Sequence, residues 1–524
     1  MEARKENKMG IQPVGKLLVS MSLPVMVSML IQALYNIVDS VFVSRISENA
    51  LTAVSLAFPI QNLIIAVAVG TGVGINSLLS RRLGERNFED ANAAAENGIM
   101  LAVLSWIVFA IVGGLFSDDF FRMFTSNPEI VEMGTQYLSV CCVFSFGCFL
   151  QLATERIMQA TGVTIFNMIT QGIGAITNII LDPILIFGLL GMPEMGVKGA
   201  AVATVAGQIL AMALGLLFNH LFNHEVRMNF LKFRPNWRIV REIYKVGVPS
   251  IVMQSIATLM TGGMNKILIV FSETAVSVFG IYFKLQSFVF MPVFGLTNGL
   301  IPIVAYNFGA GKKERIIKAI RLACIYALAI MLAGMIAFIA FPAQMIGMFA
   351  SSEESLGAMV AIGVPALRLI SLSFLGAAVG IVLSSVFQAV GNGMYSLIMS
   401  LTRQLAILLP VAWVMARFVS LDAVWLAFPI AEMVSLCLAL VMYRKLYHGK
   451  TSPPNPPPGR RWPKTPPPRF NWGVRCFCLK CVRPAPTSVW HNGAPPVRQR
   501  CRNPSLRCRP RRLRYSAGWQ TADY

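Results

Sequence analysis

Two acids sit inside apolar stretches of helix length: Asp39 in "ALYNIVDSVFVS" and Asp182 in "TNIILDPILIF". An ionisable residue at mid-membrane costs roughly 2.5–3.5 kcal/mol on insertion scales, so each needs a reason to be there. Asn178 precedes Asp182 by four residues, which puts both on one helix face. Thr204 in "KGAAVATVAGQ" adds a hydroxyl. Carboxylate, amide carbonyl and hydroxyl oxygens are hard ligands and suit a hard cation such as Na⁺, or a proton. Two carboxylates close together in low dielectric cannot both stay ionised, so one can hold a proton. Pro183 lacks an N–H, which leaves the carbonyl of Ile179 without its helical partner. Pro24 does the same for Ser20 and offers a bend point. The plainer alternative gives Asp182 a structural partner and makes Pro183 a packing kink. A second polar set is Lys284, Arg403 and Glu432. There a Lys284–Glu432 ion pair is the plain reading, and a second protonation or cargo-contacting site the sharper one.

These residues need membrane helices to hold them. The 524 residues are 55% hydrophobic and 13% charged, with mean hydropathy +0.63. Soluble domains are nearer a quarter charged. At about 20 residues per crossing, twelve apolar segments can be counted. They lie at roughly 15–44, 53–79, 95–116, 134–158, 165–189, 198–219, 247–271, 276–306, 318–341, 361–387, 394–416 and 423–443. They are spans 1 to 12 below. The fold class is therefore an all-α integral membrane protein, with twelve transmembrane helices in two pseudo-symmetric six-helix bundles. The loops at 80–87, 227–245 and 311–321 are rich in Lys and Arg, while those at 116–132 and 351–357 lean acidic. The positive-inside rule puts both termini in the cytoplasm. Depth follows from helical rise: Asp39, Asp182 and Thr204 each lie about 9–10 Å inside the outer ends of spans 1, 5 and 6.

The halves resemble each other. "ALTAVSLAFPIQ" matches "SETAVSVFGIYFKLQ", "QATG" at 159–162 matches "QAVG" at 388–391, and "SLPVM" matches "GVPSI". Six spans return the chain to its starting side, so the halves read as parallel repeats with cargo bound between them. The divisions are 1–14 (cytoplasmic N-terminus), 15–222 (first bundle), 223–246 (cytoplasmic linker), 247–445 (second bundle) and 446–524 (a basic Pro/Arg-rich tail). Residues 450–524 hold 16 Lys/Arg against Asp523 alone. Subtracting that +15 from the net +21 leaves about +6 for the body. The preferred reading of the tail is disorder, with translation out of frame as one origin. The rival is a tail for nucleic acid or anionic lipid.

Five cysteines lie in spans and five in the tail, and "CFCLKC" fits no paired zinc spacing. "VGTGVG" (69–74) lies inside a span and reads as small residues for close helix packing rather than a phosphate loop. No P-loop, HExxH or nucleophile-elbow signature appears, so no enzyme, cofactor or metal centre is expected.

The motifs "QALYNIVDSVFVS", "TNIILDPILIFG", "KGAAVATV", "QATG"/"QAVG" and "GAGKKER" together resemble the multidrug and toxic compound extrusion (MATE) family, more narrowly its bacterial DinF/MepA-like branch. The resemblance covers about residues 10–449. It implies a V-shaped pair of bundles exporting cationic and amphipathic drugs by alternating access, driven by inward flow of Na⁺ or H⁺. It assigns the coupling-ion site to Asp39, Asn178, Asp182 and Thr204, and helix bending to Pro24. Gln32 and Gln151 correspond to positions near the drug cavity, and Asn36 and Gln254 join them as candidate cargo contacts. The seventh-span acid of other branches is not carried over, because Gln254 stands near its place. The expected setting is the bacterial inner (cytoplasmic) membrane, as a monomer without nucleic acid. The alternatives are a lipid-linked precursor flippase of the same superfamily and a non-transporting scaffold or receptor.

Overall fold

The computed structural model describes residues 6–229, 233–349 and 353–449, without the side chains of 36, 37, 40, 44, 353–355 and 447–449. The expected tail beyond residue 449 lies outside the described residues. Among those described, ten helices are long and apolar enough to cross a membrane, and two bent pairs bring the number to twelve. Spans 1 to 3 are Val14–Ser44, Glu48–Gly84 and Phe88–Arg122. Span 4 is the pair Pro128–Val143 and Phe146–Thr161. Spans 5 to 9 are Ile165–Phe187, Gly196–Phe222, Trp237–Leu268, Glu273–Gly309 and Lys313–Ala340. Span 10 is the pair Glu353–Ser371 and Phe374–Ala389. Span 11 runs Gly393–Phe418, and span 12 runs Leu421–Leu446.

The repeat is visible in local detail. Ser47 caps span 2 by accepting from the Ala50 N–H at 3.0 Å, and Ser272 caps span 8 through Ala275 at 3.0 Å. Spans 4 and 10 bend by 41° and 48°, which the apolar pattern alone does not signal. At each bend a serine hydroxyl takes a backbone carbonyl: Ser145 donates to Cys142 at 2.8 Å, and Ser373 to Ile370 at 2.7 Å. Each bent span ends on a left-handed glycine, Gly162 at φ +92° and Gly391 at φ +83°.

The two lobes meet at the end that carries the Lys/Arg-rich loops. There "VGTGVG" packs span 2 against span 7. A Cβ at Gly70 would lie 2.7 Å from the Ile251 nitrogen, and one at Gly74 would lie 2.3 Å from the Ile243 carbonyl oxygen. At Gly84 it would lie 2.0 Å from the carbonyl oxygen of Tyr306 on span 8. Residues 70–80 of span 2 are all buried, whereas Leu51, Phe58 and Leu63 toward its other end are exposed. The lobes are thus closed at the basic end and part toward the other. The segment before span 1 straps the closed end. Asn7 donates to the Thr161 carbonyl at 3.0 Å on the first lobe. Asn307 and Arg315 of the second lobe each donate to the Met9 carbonyl at 3.0 Å.

Candidate functional site

Spans 5 and 6 bring Asn178, Asp182 and Thr204 into one hydrogen-bonded group. The Asn178 amide donates to Asp182 Oδ1 at 3.3 Å and to Thr204 Oγ1 at 3.2 Å. The four-residue spacing places both side chains on the face that span 6 covers. Small residues let the two helices approach: a Cβ at Gly207 would lie 2.6 Å from the Gly174 carbonyl oxygen. Asp182 is fully buried and Asn178 nearly so. Asp39 stands on span 1, which packs against span 5. Three buried oxygens here, Asp39 Oδ1, Asn178 Oδ1 and Asp182 Oδ2, have no hydrogen-bond partner among the described residues. Such oxygens are costly to bury unless a cation or proton satisfies them.

Neither proline breaks its helix; spans 1 and 5 run through Pro24 and Pro183. The Ser20 carbonyl, whose helical donor Pro24 removes, accepts a long 3.5 Å bond from Thr164 at the start of span 5. That contact couples the bend point of span 1 to the helix carrying Asn178 and Asp182.

Between the lobes lies a cavity of about 490 Å³ lined by both. Gln32, Gln151 and Gln254 are on its wall, as are Asn178 and Thr204. The Asn36 side chain lies outside the described residues. In the second lobe Arg403 and Glu432 line the cavity, and Lys284 does not. The Lys284–Glu432 pairing expected from equal depth is not formed. Glu432 accepts from Arg403 Nη1 at 3.3 Å, and Lys284 is exposed with Nζ 5.8 Å from the Phe349 ring centre. Depth along a helix fixes the level of a side chain but not the direction it points, and Lys284 points away. Arg403 faces inward from a π-helical turn, Thr402–Leu408, that interrupts span 11. Such turns are rare and re-aim side chains, often at functional sites.

Glu155 and Arg156 in "TERIMQATG" are not among the expected site residues, although two adjacent charges inside a span are themselves a signal. Both are buried and both line the cavity. Glu155 accepts from Gln151 and Gln171 at 3.1 Å each and from Thr170 at 3.4 Å. Arg156 donates to Gln159 at 2.9 Å and, across the lobes, to Asn298 of span 8 at 3.0 Å.

Comparison with known proteins agrees with this architecture. The MatE family model matches residues 24–184 and 249–414, one segment in each repeat. The multidrug export protein MepA of Staphylococcus aureus strain N315 is 28% identical over 433 residues, covering 82% of this chain and 93% of that protein. The FAD transporter of Shewanella oneidensis is 25% identical over 427 residues, covering 80% of this chain and 92% of that one. A multidrug resistance MATE family transporter of the MOP superfamily, solved in an outward-facing conformation, superposes with TM-score 0.79 at 26% identity. The match covers 85% of this chain and 98% of that chain. With the family model spanning both repeats of a twelve-span, two-lobed membrane protein, the chain belongs to the MatE family of membrane transporters.

Proposed function

We propose that the protein is a secondary active multidrug efflux antiporter. It exports cationic and amphipathic drugs from the cytoplasm in exchange for Na⁺ or H⁺, working in the bacterial inner membrane with both termini cytoplasmic. The observation that carries this reading is the group of unpartnered buried oxygens on Asp39, Asn178 and Asp182 beside the Thr204 hydroxyl. Asn178 and Thr204 of this group line a cavity shared by the two lobes, of a size that suits small organic molecules. The coupling ion binds there, neutralises the paired carboxylates and pulls spans 1 and 5 together. The Pro24 segment bends, and cargo leaves through the open end. The bundles 15–222 and 247–445 then rock about the glycine-packed contact between spans 2 and 7. One charge moving through 100 mV supplies about 2.3 kcal/mol, enough for a cargo gradient of nearly fifty-fold. The MepA relative, named for multidrug export, supports the cargo class.

Proteoliposomes with Na⁺ and pH gradients imposed separately test the reading. Cargo flux should follow one gradient, and Asp39→Asn and Asp182→Asn should each abolish the drive while leaving cargo binding. Unchanged ion-driven flux in both variants would rule the mechanism out.

A further inference from the structure

Glu155 is a charged group that the coupling scheme does not use. It is 4% exposed, and that exposure opens on the cavity between the lobes. Its three side-chain donors, Gln151, Thr170 and Gln171, are all neutral. Arg156 follows it in sequence but turns about 100° around the helix, and its guanidinium is held by Gln159 and Asn298 instead. Glu155 therefore has no ion-pair partner among the described residues, and its carboxyl is held by neutral groups alone. Among the described residues the other acid on the cavity wall is Glu432, which already faces Arg403.

The position separates Glu155 from the coupling group. Gln171, which holds Glu155, precedes Asn178 on span 5 by seven residues, or about 10 Å of helix. Glu155 thus lies two turns closer to the closed, basic end. Cargo leaving through the open end therefore passes the Asp39–Asp182 level after it leaves Glu155.

We propose that Glu155 is the cargo anchor of the first lobe, a carboxylate that pairs with the positive charge of a monovalent organic cation at the bottom of the cavity. The amides of Gln151 and Gln171 fix the carboxylate so that it receives the cation without rearranging, and the apolar wall from Val69, Leu152 and Met253 takes the rest of the cargo. This rests on the antiporter reading and assigns cargo and coupling ion to separate levels of one lobe.

Ethidium, a fluorescent monovalent organic cation, serves as the probe, with the full chain in detergent and in proteoliposomes. Glu155→Gln should weaken ethidium binding by about tenfold or more, the scale of one charge-assisted contact. Glu155→Asp keeps the charge and should stay within about threefold of the wild type. Asp182→Asn should bind ethidium normally yet lose gradient-driven flux. Unchanged ethidium affinity in Glu155→Gln overturns the proposal. If that variant does not fold, carbodiimide labelling of wild-type Glu155, read by mass spectrometry, decides instead: ethidium should block it, and equal labelling with and without ethidium overturns the proposal. A wild type that neither binds nor exports ethidium removes the antiporter reading along with this one. Normal wild-type export with unaffected Glu155→Gln removes this one alone.

Discussion

Arg82 at the end of span 2 and Glu242 near the start of span 7 meet at 2.8 Å, tying the two lobes together at their basic ends. The tie has a second member: Arg238 of span 7 reaches Asp90 of span 3 at 2.9 Å. Both cross the contact that must open if the cavity is to face the other side. Arg82→Gln should shift the population toward the inward-open form by about fivefold, since a half-buried ion pair contributes about 1 kcal/mol. The check is maleimide labelling of a cysteine placed at Ser77, which is fully buried and donates to the Gln388 carbonyl at 2.7 Å in the closed form. No increase in labelling would show that the pair does not hold the gate.

Glycine packing should matter more than charge. Gly84→Ala would put a methyl group 2.0 Å from the Tyr306 carbonyl oxygen, a backbone atom that cannot swing aside. The closed basic end then cannot form, and export should fall to background while the protein still inserts. Gly280→Ala on span 8 is the control, because a Cβ there meets nothing within 4 Å. Its export should equal the wild type, and a loss there would mean that the packing argument is wrong.

Removing one partner of the Arg403–Glu432 pair should cost more than removing both. Glu432 is 6% exposed, and its Oε1 has no hydrogen-bond partner among the described residues. Arg403→Gln leaves an uncompensated buried carboxylate and should destabilise by about 3 kcal/mol. Arg403→Gln with Glu432→Gln should recover most of that. Thermal unfolding of the four proteins in one detergent gives the cycle. Additive losses would deny the coupling.

The strap before span 1 should be sensitive to acid. A hydrogen bond from Lys312, reinforced by its charge, holds the Glu6 carboxyl below its ordinary value of 4.5. The stability this contact adds is therefore fully present above pH 4.5 and is lost as pH falls through the lowered folded value. Hydrogen-exchange protection of residues 7–11, corrected for intrinsic rates, should hold from neutral pH down to that point and drop below it. Glu6→Gln should lack that step at any pH. A step seen instead near neutral pH would assign the effect to another group.

The sequence by itself determined the number of spans, the repeat and the level at which polar groups sit. Bilayer thickness ties hydropathy to depth, and the 3.6-residue turn ties Asn178 to Asp182. What it left open was direction around each helix and contact between distant helices. Depth pointed to Lys284 as the partner of Glu432, whereas the π-helical turn of span 11 aims Arg403 inward and span 8 leaves Lys284 outside. The serines at the bends of spans 4 and 10 are ordinary residues in an apolar run, and only the geometry there shows that each takes a carbonyl. Glu155 stands in plain view beside Arg156, where adjacency suggests a neutralised pair. The tertiary structure separates them, because neighbours on a helix face different ways: one turns to the amides of its own lobe, the other to Asn298 across the interface. Burial and partner choice are properties of packed surfaces, so they were decided only when the two lobes came together.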